Sequence, residues 1–365
     1  MPDFLTLGQQ RFDYDQITAR AYLTQNLDPY GLATLDFCAN WLQSQSSFTV
    51  HTSGSTGTPK PIVLTRAQLQ VSAQMTGQAL QLQPGDNAFV CLNTAYIAGL
   101  MMLVRGFELN LQMTIVPPGR NPLQHQDIPP SVDFIALVPL QIHALLQTEV
   151  GSNWLNGAKA IIVGGAPVDY ALEQQIRNLK APVYATYGMT ETVTHIALRR
   201  INGENNEAYY QTLPQVTIQQ DARKCLQIKS PTTLNQWITT NDLVAILSPD
   251  RFQWLGRIDR VINSGGVKVQ AEKVEKALEQ VLHQLQIDCR FFVAGLPHEL
   301  LGEQVVALLE LPHLDDAIQQ QLLKALKPHL SNYELPKAIY CVTPFAETLT
   351  AKVDRLQTIQ QITTK

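Results

Sequence analysis

Residues 52–60 read Thr52-Ser53-Gly54-Ser55-Thr56-Gly57-Thr58-Pro59-Lys60, with hydroxyls and glycines alternating up to a lysine. The run follows a short extended-looking segment, Phe48-Thr49-Val50-His51, and precedes an apolar stretch and a helical pattern from about Arg66. Glycine lets a backbone approach an anion where a Cβ would clash. Backbone N–H groups, hydroxyls and one ammonium can then surround phosphate oxygens. The same composition also suits a solvated linker. The common nucleotide P-loop needs Gly, four residues, then Gly-Lys-Ser/Thr. Here Gly54 is followed by Gly57, and Pro59, which has no N–H to offer, sits directly before Lys60. The stretch points to a phosphate loop of a different kind.

Downstream, apolar runs of buried-strand type at 88–92, 113–116, 134–138, 160–163 and 183–186 alternate with helical patterns at 95–109, 140–147 and 168–179, after a helix expected at 66–82. Strand alternating with helix predicts an α/β fold of layered, largely parallel sheets covered by helices on both faces. Upstream, residues 1–47 read as an N-terminal cap with helical stretches at 17–23 and 35–42. Between 200 and 250 the pattern changes to short alternating segments, such as Val216-Thr217-Ile218 and Leu226-Gln227-Ile228, which suit a small β-rich subdomain. The charged stretch Gly256-Arg257-Ile258-Asp259-Arg260 then suggests a boundary, dividing a large unit, 1–258, from a smaller α+β unit, 259–365. In the smaller unit, helices are expected at 271–285 and 318–330 and strands at 290–294, 305–311 and 338–342.

The bulk composition narrows the function classes. The chain has 365 residues, enough for more than one structural unit, and is 45% hydrophobic, enough for substantial cores. A formal charge of −4 gives no general attraction to nucleic acid or to an anionic membrane. Met1-Pro2-Asp3 does not open a secretory signal. No apolar run approaches the roughly 20 residues of a spanning helix. Cys38, Cys91, Cys225, Cys289 and Cys341 lie far apart, in no metal-type spacing and in an odd number. These features fit a cytoplasmic protein with reduced thiols.

Further motifs follow the loop in a fixed order. Gly164-Gly165-Ala166-Pro167 and Tyr187-Gly188-Met189-Thr190-Glu191-Thr192 each follow a strand-like run; Thr240-Asn241-Asp242, Gly256-Arg257-Ile258-Asp259, Ser264-Gly265-Gly266 and Thr350-Ala351-Lys352-Val353-Asp354-Arg355 come after them. This series resembles the ordered motifs of the adenylate-forming enzymes, which include acyl- and aryl-CoA ligases, luciferases and peptide-synthetase adenylation domains. The resemblance implies ATP, Mg²⁺ and, as a thiol substrate, CoA. It implies that Thr52, Ser53, Ser55, Thr56 and Lys60 grip phosphates. Gly164, Gly165 and Ala166 would form the adenine-side turn, Tyr187 would stack on adenine, and Gly188 and Thr190 would bind the nucleotide. Asp242 would accept from the ribose hydroxyls, and Arg257 would reach ribose or phosphate. Glu191, with Thr52, would serve Mg²⁺. Lys352 would sit at the carboxylate–phosphate junction as the adenylation catalyst, with Glu191 its catalytic partner. Asp259 would be the hinge of a mobile C-terminal lid. Each role suits its residue type: a carboxylate offers two acceptor oxygens, guanidinium is a planar fork, and Mg²⁺ prefers hard oxygen ligands.

Asn93 to Arg105, with Tyr96 near its start, resembles the acid-pocket segment of short bacterial o-succinylbenzoate–CoA ligases of menaquinone synthesis. The implied acid is o-succinylbenzoate, with Tyr96, Arg105 and His195 as its contacts. Arg105 stands on an otherwise apolar helix pattern, where a charge is costly unless paired. It also suits the polar edge of that helix, as His195 suits an ordinary surface position. Asn241 and Ala351 replace the family's usual glycines, Tyr96 replaces a frequent histidine, and the chain is short for the family. Another aryl- or short-acyl-CoA ligase, a stand-alone adenylating enzyme serving a carrier protein, and a non-catalytic nucleotide-binding protein are the competing readings. A homodimer is an open option.

Overall fold

The computed structural model describes residues 3–51, 61–125, 128–204, 208–347 and 353–363. The phosphate-loop residues Thr52, Ser53, Ser55, Thr56 and Lys60, and Lys352 near the C-terminus, lie outside the described residues.

A large mixed sheet organises the first two thirds of the chain. Its parallel part runs Gln112–Ile115, Asn87–Val90, Phe134–Leu137, Ala160–Val163 and Val183–Gly188 in spatial order. Phe134–Leu137 and Ala160–Val163 are buried at every position. This explains their unbroken apolar sequence, since a strand covered on both faces has no polar side to show. Of the helices Arg66–Leu80, Ile97–Glu108, Pro139–Leu146 and Tyr170–Ile176, the first precedes these strands in the sequence and the other three run between them. Thr65 caps the first, accepting from the Gln68 backbone N–H while the Gln68 side chain returns to the Thr65 N–H. The second lies so close to the sheet that a Cβ at Gly106 would fall 2.0 Å from the Met113 sulfur.

Val183–Gly188 pairs antiparallel with His195–Arg200, and the sheet continues antiparallel through Tyr210–Thr212, Arg251–Arg257, Ile238–Ser248, Cys225–Lys229 and Thr217–Gln220. The β-rich stretch expected from the sequence is therefore hydrogen-bonded into the main sheet. At the other edge the N-terminal cap holds its expected helix, Pro29–Leu42, but it opens on a hairpin. Phe4–Leu7 joins Gln112–Ile115 in parallel, and Gln10–Asp13 folds back on it. Alternation explains this: Leu5, Leu7 and Phe12 point into the core while their neighbours face outward.

A separate antiparallel pair, Ser47–His51 with Pro61–Thr65, brackets residues 52–60. The C-terminal part has its own sheet, ordered Val267–Gln270, Val261–Ser264, Gly302–Leu309, Phe291–His298, with Ala338–Cys341 parallel to Gly302–Leu309. Helix Ala271–Gln284 lays Val274, Ala277, Leu278, Val281 and Leu282 onto a core that also holds Val293, Val305, Ala307 and Leu309. Among the described residues no helix is long and apolar enough to cross a membrane.

Candidate active site

Strands Ile238–Ser248 and Arg251–Arg257 form a hairpin in which Asp242 lies opposite Arg257 and Val244 opposite Trp254, with a register shift between Leu243 and Val244. Three strands separate Asp242 from Tyr187 in the sheet order, which at ~4.8 Å per strand would put them far apart on a flat sheet. Yet the Tyr187 hydroxyl donates to Asp242 Oδ2 at 2.6 Å. The sheet curls around an aromatic trio to achieve this. Tyr187 meets Phe252 edge-on at 5.2 Å and Tyr210 at 5.6 Å, and Tyr210 stacks on Phe252 at 5.5 Å. Burial, followed by the charge of Asp242, pushes the Tyr187 hydroxyl far up, so it remains a donor. The other Asp242 oxygen accepts from the Trp254 indole N–H at 3.1 Å, and the Asp242 backbone N–H is held by Thr240 Oγ1 at 3.0 Å. Sequence reasoning assigned the Tyr187 ring to adenine. In the structure its hydroxyl is committed to holding a carboxylate. Sequence reasoning missed Trp254, although its place three residues before Arg257, on the strand paired with that of Asp242, was the signal available.

Arg257 carries on from this carboxylate. Its guanidinium grips Asp259 in a fork, Nε to Oδ1 at 2.9 Å and Nη2 to Oδ2 at 2.5 Å. That hydrogen bonding raises the arginine and lowers the aspartate from their ordinary values. The residue expected to meet the nucleotide and the residue expected to act as hinge are thus paired with each other. Beneath them, Glu272 at the start of helix Ala271–Gln284 accepts from the Arg257 backbone N–H at 3.3 Å and pairs with Arg260 at 2.9 Å. Gly256 sits at φ +135°, and a Cβ there would lie 2.4 Å from Glu272 Oε2. Only glycine fits that crossing.

The turn after Val183–Gly188 carries Thr190 and Glu191. Thr192 Oγ1 accepts from the Met189 N–H and faces the Thr194 carbonyl, and Val193 sits at φ 68°, rare for a β-branched residue. This sharp reversal returns the chain so that His195 pairs with Gly188. It leaves Glu191 exposed, with no ion pair among the described residues. Across the neighbouring strand end, Gly165 has φ +83°, and a Cβ at Gly164 would press on Thr186 Oγ1 at 2.2 Å. The Gly164-Gly165-Ala166 turn and the strand of Tyr187 therefore lie together.

The surroundings of Arg105 have different electrostatics. Arg105, on helix Ile97–Glu108, is 2% exposed. Its Nη1 reaches the Met102 sulfur at 3.8 Å, its Nε has no partner, and no carboxylate pairs with it among the described residues. Burial pulls its pKa down to about 10, so it stays charged at neutral pH. His195 is 8% exposed, and burial and the charge of Arg105 push it well below its usual range, leaving a neutral imidazole. Its Nε2 lies 3.3 Å from Thr76 Oγ1. Arg105 and His195 therefore share one buried neighbourhood, and the polar-edge and surface readings of the two do not hold. Tyr96 does not join them: it is 52% exposed at the start of the helix, nine positions from Arg105 and so about 13 Å along the axis.

Comparison with known proteins gives this geometry a context. A family model described as AMP-binding enzyme matches residues 23–222, more than half of the chain. The solved structure of an acyl-CoA synthetase (AMP-forming)/AMP-acid ligase II-like protein from Dyadobacter fermentans is similar at 43% identity, with 93% of this chain and 96% of that chain covered and a TM-score of 0.64. A 2-succinylbenzoate–CoA ligase of Bacillus cytotoxicus is 24% identical over 322 residues, which is 80% of this chain and 65% of the relative. The chain thus spans about 65% of the length of that curated relative. The o-succinylbenzoate CoA synthetase of Bacillus subtilis, solved with ATP and a magnesium ion, shares the fold at 22% identity and a TM-score of 0.64, covering 85% of this chain and 69% of that one. By its sequence match and its architecture, the chain belongs to the AMP-binding enzyme family.

Proposed function

We propose that the chain is an ATP-dependent acid–CoA ligase whose acid is o-succinylbenzoate. The observation that carries the choice of acid is Arg105, a buried guanidinium with no carboxylate partner among the described residues. An uncompensated charge in an apolar setting is expensive, and a bound anion removes that cost. A diacid has one carboxylate to react and a second to meet Arg105. Relatives named as 2-succinylbenzoate–CoA ligases support the same reading.

The reaction has two steps. A carboxylate oxygen of the acid attacks the α-phosphorus of ATP, and pyrophosphate leaves. The CoA sulfur, having lost its proton, then attacks the acyl carbon, and AMP leaves with the bonding pair. Positioning and charge stabilisation dominate such transfers. Asp242 accepts from the ribose, and Arg257, once released by Asp259, meets ribose or phosphate. Thr52, Ser53, Ser55, Thr56 and Lys60 hold the departing pyrophosphate, and Lys352 orients the carboxylate and offsets charge at the junction. Gly164, Gly165, Ala166, Gly188 and Thr190 form the wall around the base, and His195 lines the acid side. Glu191, an exposed carboxylate without an ion pair among the described residues, would hold a Mg²⁺ ion, a hard cation that prefers carboxylate and phosphate oxygens. Such an ion would supply charge neutralisation. Residues 1–258 form the substrate-binding body, and residues 259–365 form a lid turning at Asp259.

The test incubates the protein with ATP, Mg²⁺, CoA and a panel of acids and follows AMP release. o-Succinylbenzoate is expected to give the highest rate, with plain benzoate at least tenfold slower. Faster turnover of benzoates or fatty acids overturns the choice of acid. AMP release that does not depend on any acid overturns the ligase reading.

A further inference from the structure

We infer that Trp254 is a positioning residue for the nucleotide sugar: its indole N–H locks the plane of the Asp242 carboxylate so that the two remaining lone-pair sites face the ribose diol. The inference rests on the proposed assignment of Asp242 to the ribose and adds to it a residue for which no role has been given.

The argument starts from the carboxylate. Its terminal torsion is broad and roughly two-fold, so a single hydrogen bond leaves it free to swing. Tyr187 fixes Oδ2 at 2.6 Å. Trp254 fixes Oδ1 at 3.1 Å from the opposite side of the hairpin. With one protein donor on each oxygen, the plane is set before any ligand arrives. A carboxylate has about four lone-pair sites, so two remain for the two hydroxyls of a cis diol. Neither donor can be exchanged for an acceptor, because indole donates only and the raised Tyr187 hydroxyl keeps its proton. Trp254 itself is 37% exposed, so its ring is not a pillar of the core. What distinguishes it from any other aromatic residue at this place is the N–H.

Substitution separates the N–H from the ring. Phe keeps a flat ring and loses the donor. His keeps a ring N–H at the same place, since its Nε2 stands two bonds from Cγ, as the indole nitrogen does. The experiment measures the dissociation constants of ATP, 2′-deoxyATP and 3′-deoxyATP by calorimetric titration of the whole chain. Trp254→Phe is expected to weaken ATP roughly tenfold, the scale of one hydrogen bond to a charged group. It is expected to weaken the deoxynucleotides much less, so the preference for the full diol collapses. Trp254→His is expected to restore most of that preference. Equal weakening of all three nucleotides, or no recovery with His, overturns the inference. Asp242→Asn, titrated in parallel, tests the underlying assignment. If Asp242→Asn leaves the preference intact, the ribose reading itself is wrong. If it abolishes the preference while Trp254→Phe does not, only the role of Trp254 is lost.

Discussion

Asp242 and Arg105 are two charged side chains in the same body, with opposite provision around them. Asp242 has a donor on each oxygen and a third group fixing its backbone. Arg105 is more deeply buried and has a thioether for company, an Nε unpartnered among the described residues and a neutral histidine nearby. The proposed nucleotide end is assembled in advance, and the proposed acid end is assembled around a missing charge. Preorganisation suits a ligand that never changes. An unpaired buried charge is the stronger discriminator, since an acid lacking the matching carboxylate leaves the penalty in place.

The largest effect should come from breaking the second half of that contrast. Arg105→Met keeps the length and apolar stem of the side chain and removes the charge. The KM for o-succinylbenzoate is expected to rise about 100-fold, the scale of a buried ion pair, with the KM for ATP nearly unchanged. The melting temperature should hold or rise by ~2–5 °C, because an uncompensated charge leaves the core. Loss of activity accompanied by lower stability would mean that Arg105 is structural and that its isolation has another cause.

A smaller effect is expected at the assembled end. Tyr187→Phe removes one of the two locks on Asp242 but keeps the ring in contact with Phe252 and Tyr210. ATP binding should weaken about fivefold, with the acid KM unchanged. An increase in the acid KM alone would reverse the assignment of the two ends.

How far these sites were legible in the sequence depends on how local their determinants are. The parallel strands could be read directly, because both faces of 134–137 and 160–163 are apolar. The burial of Arg105 was suggested by its apolar neighbours on one helix. Motif order picked out Tyr187, Glu191 and Asp242, but Tyr187, expected just after a strand at 183–186, lies within the strand Val183–Gly188. The Tyr187–Asp242 bond was not legible, since it closes across three intervening strands and depends on the curl of the sheet. Trp254 was hidden for a related reason, its partner lying across a hairpin whose register shifts by a bulge. The N-terminal hairpin escaped notice because four-residue strands leave only two inward positions each to signal alternation. Residues 52–60 are bracketed by the paired strands Ser47–His51 and Pro61–Thr65, an arrangement their sequence suggested only as extended flanks.

A third charged group lies between these extremes and should give the smallest effect. Glu279, on helix Ala271–Gln284, packs against the start of helix Tyr170–Ile176, where His283 meets the Tyr170 ring at 5.6 Å. Burial lifts its carboxyl to about 7. The Tyr170 backbone N–H opposes that shift, while Asp169 and Glu173 from the facing helix and Glu275 from its own add to it. A carboxyl raised in the folded state binds protons more tightly folded than unfolded. Stability should therefore fall as pH rises from about 4.5, its ordinary value, through about 7, and level off above. Glu279→Gln keeps the shape and removes the titration. It should match the native chain near pH 4.5 and exceed it by ~1–2 °C at pH 8, a small figure because the side chain is part-exposed and water screens its charge. Calorimetric melts at the two pH values decide the matter. A difference that does not change with pH would show that Glu279 contributes packing only. A growing difference would show that Glu279, unlike either Asp242 or Arg105, is held in the fold in its neutral form, chiefly by burial, and that ionising it weakens this helix contact.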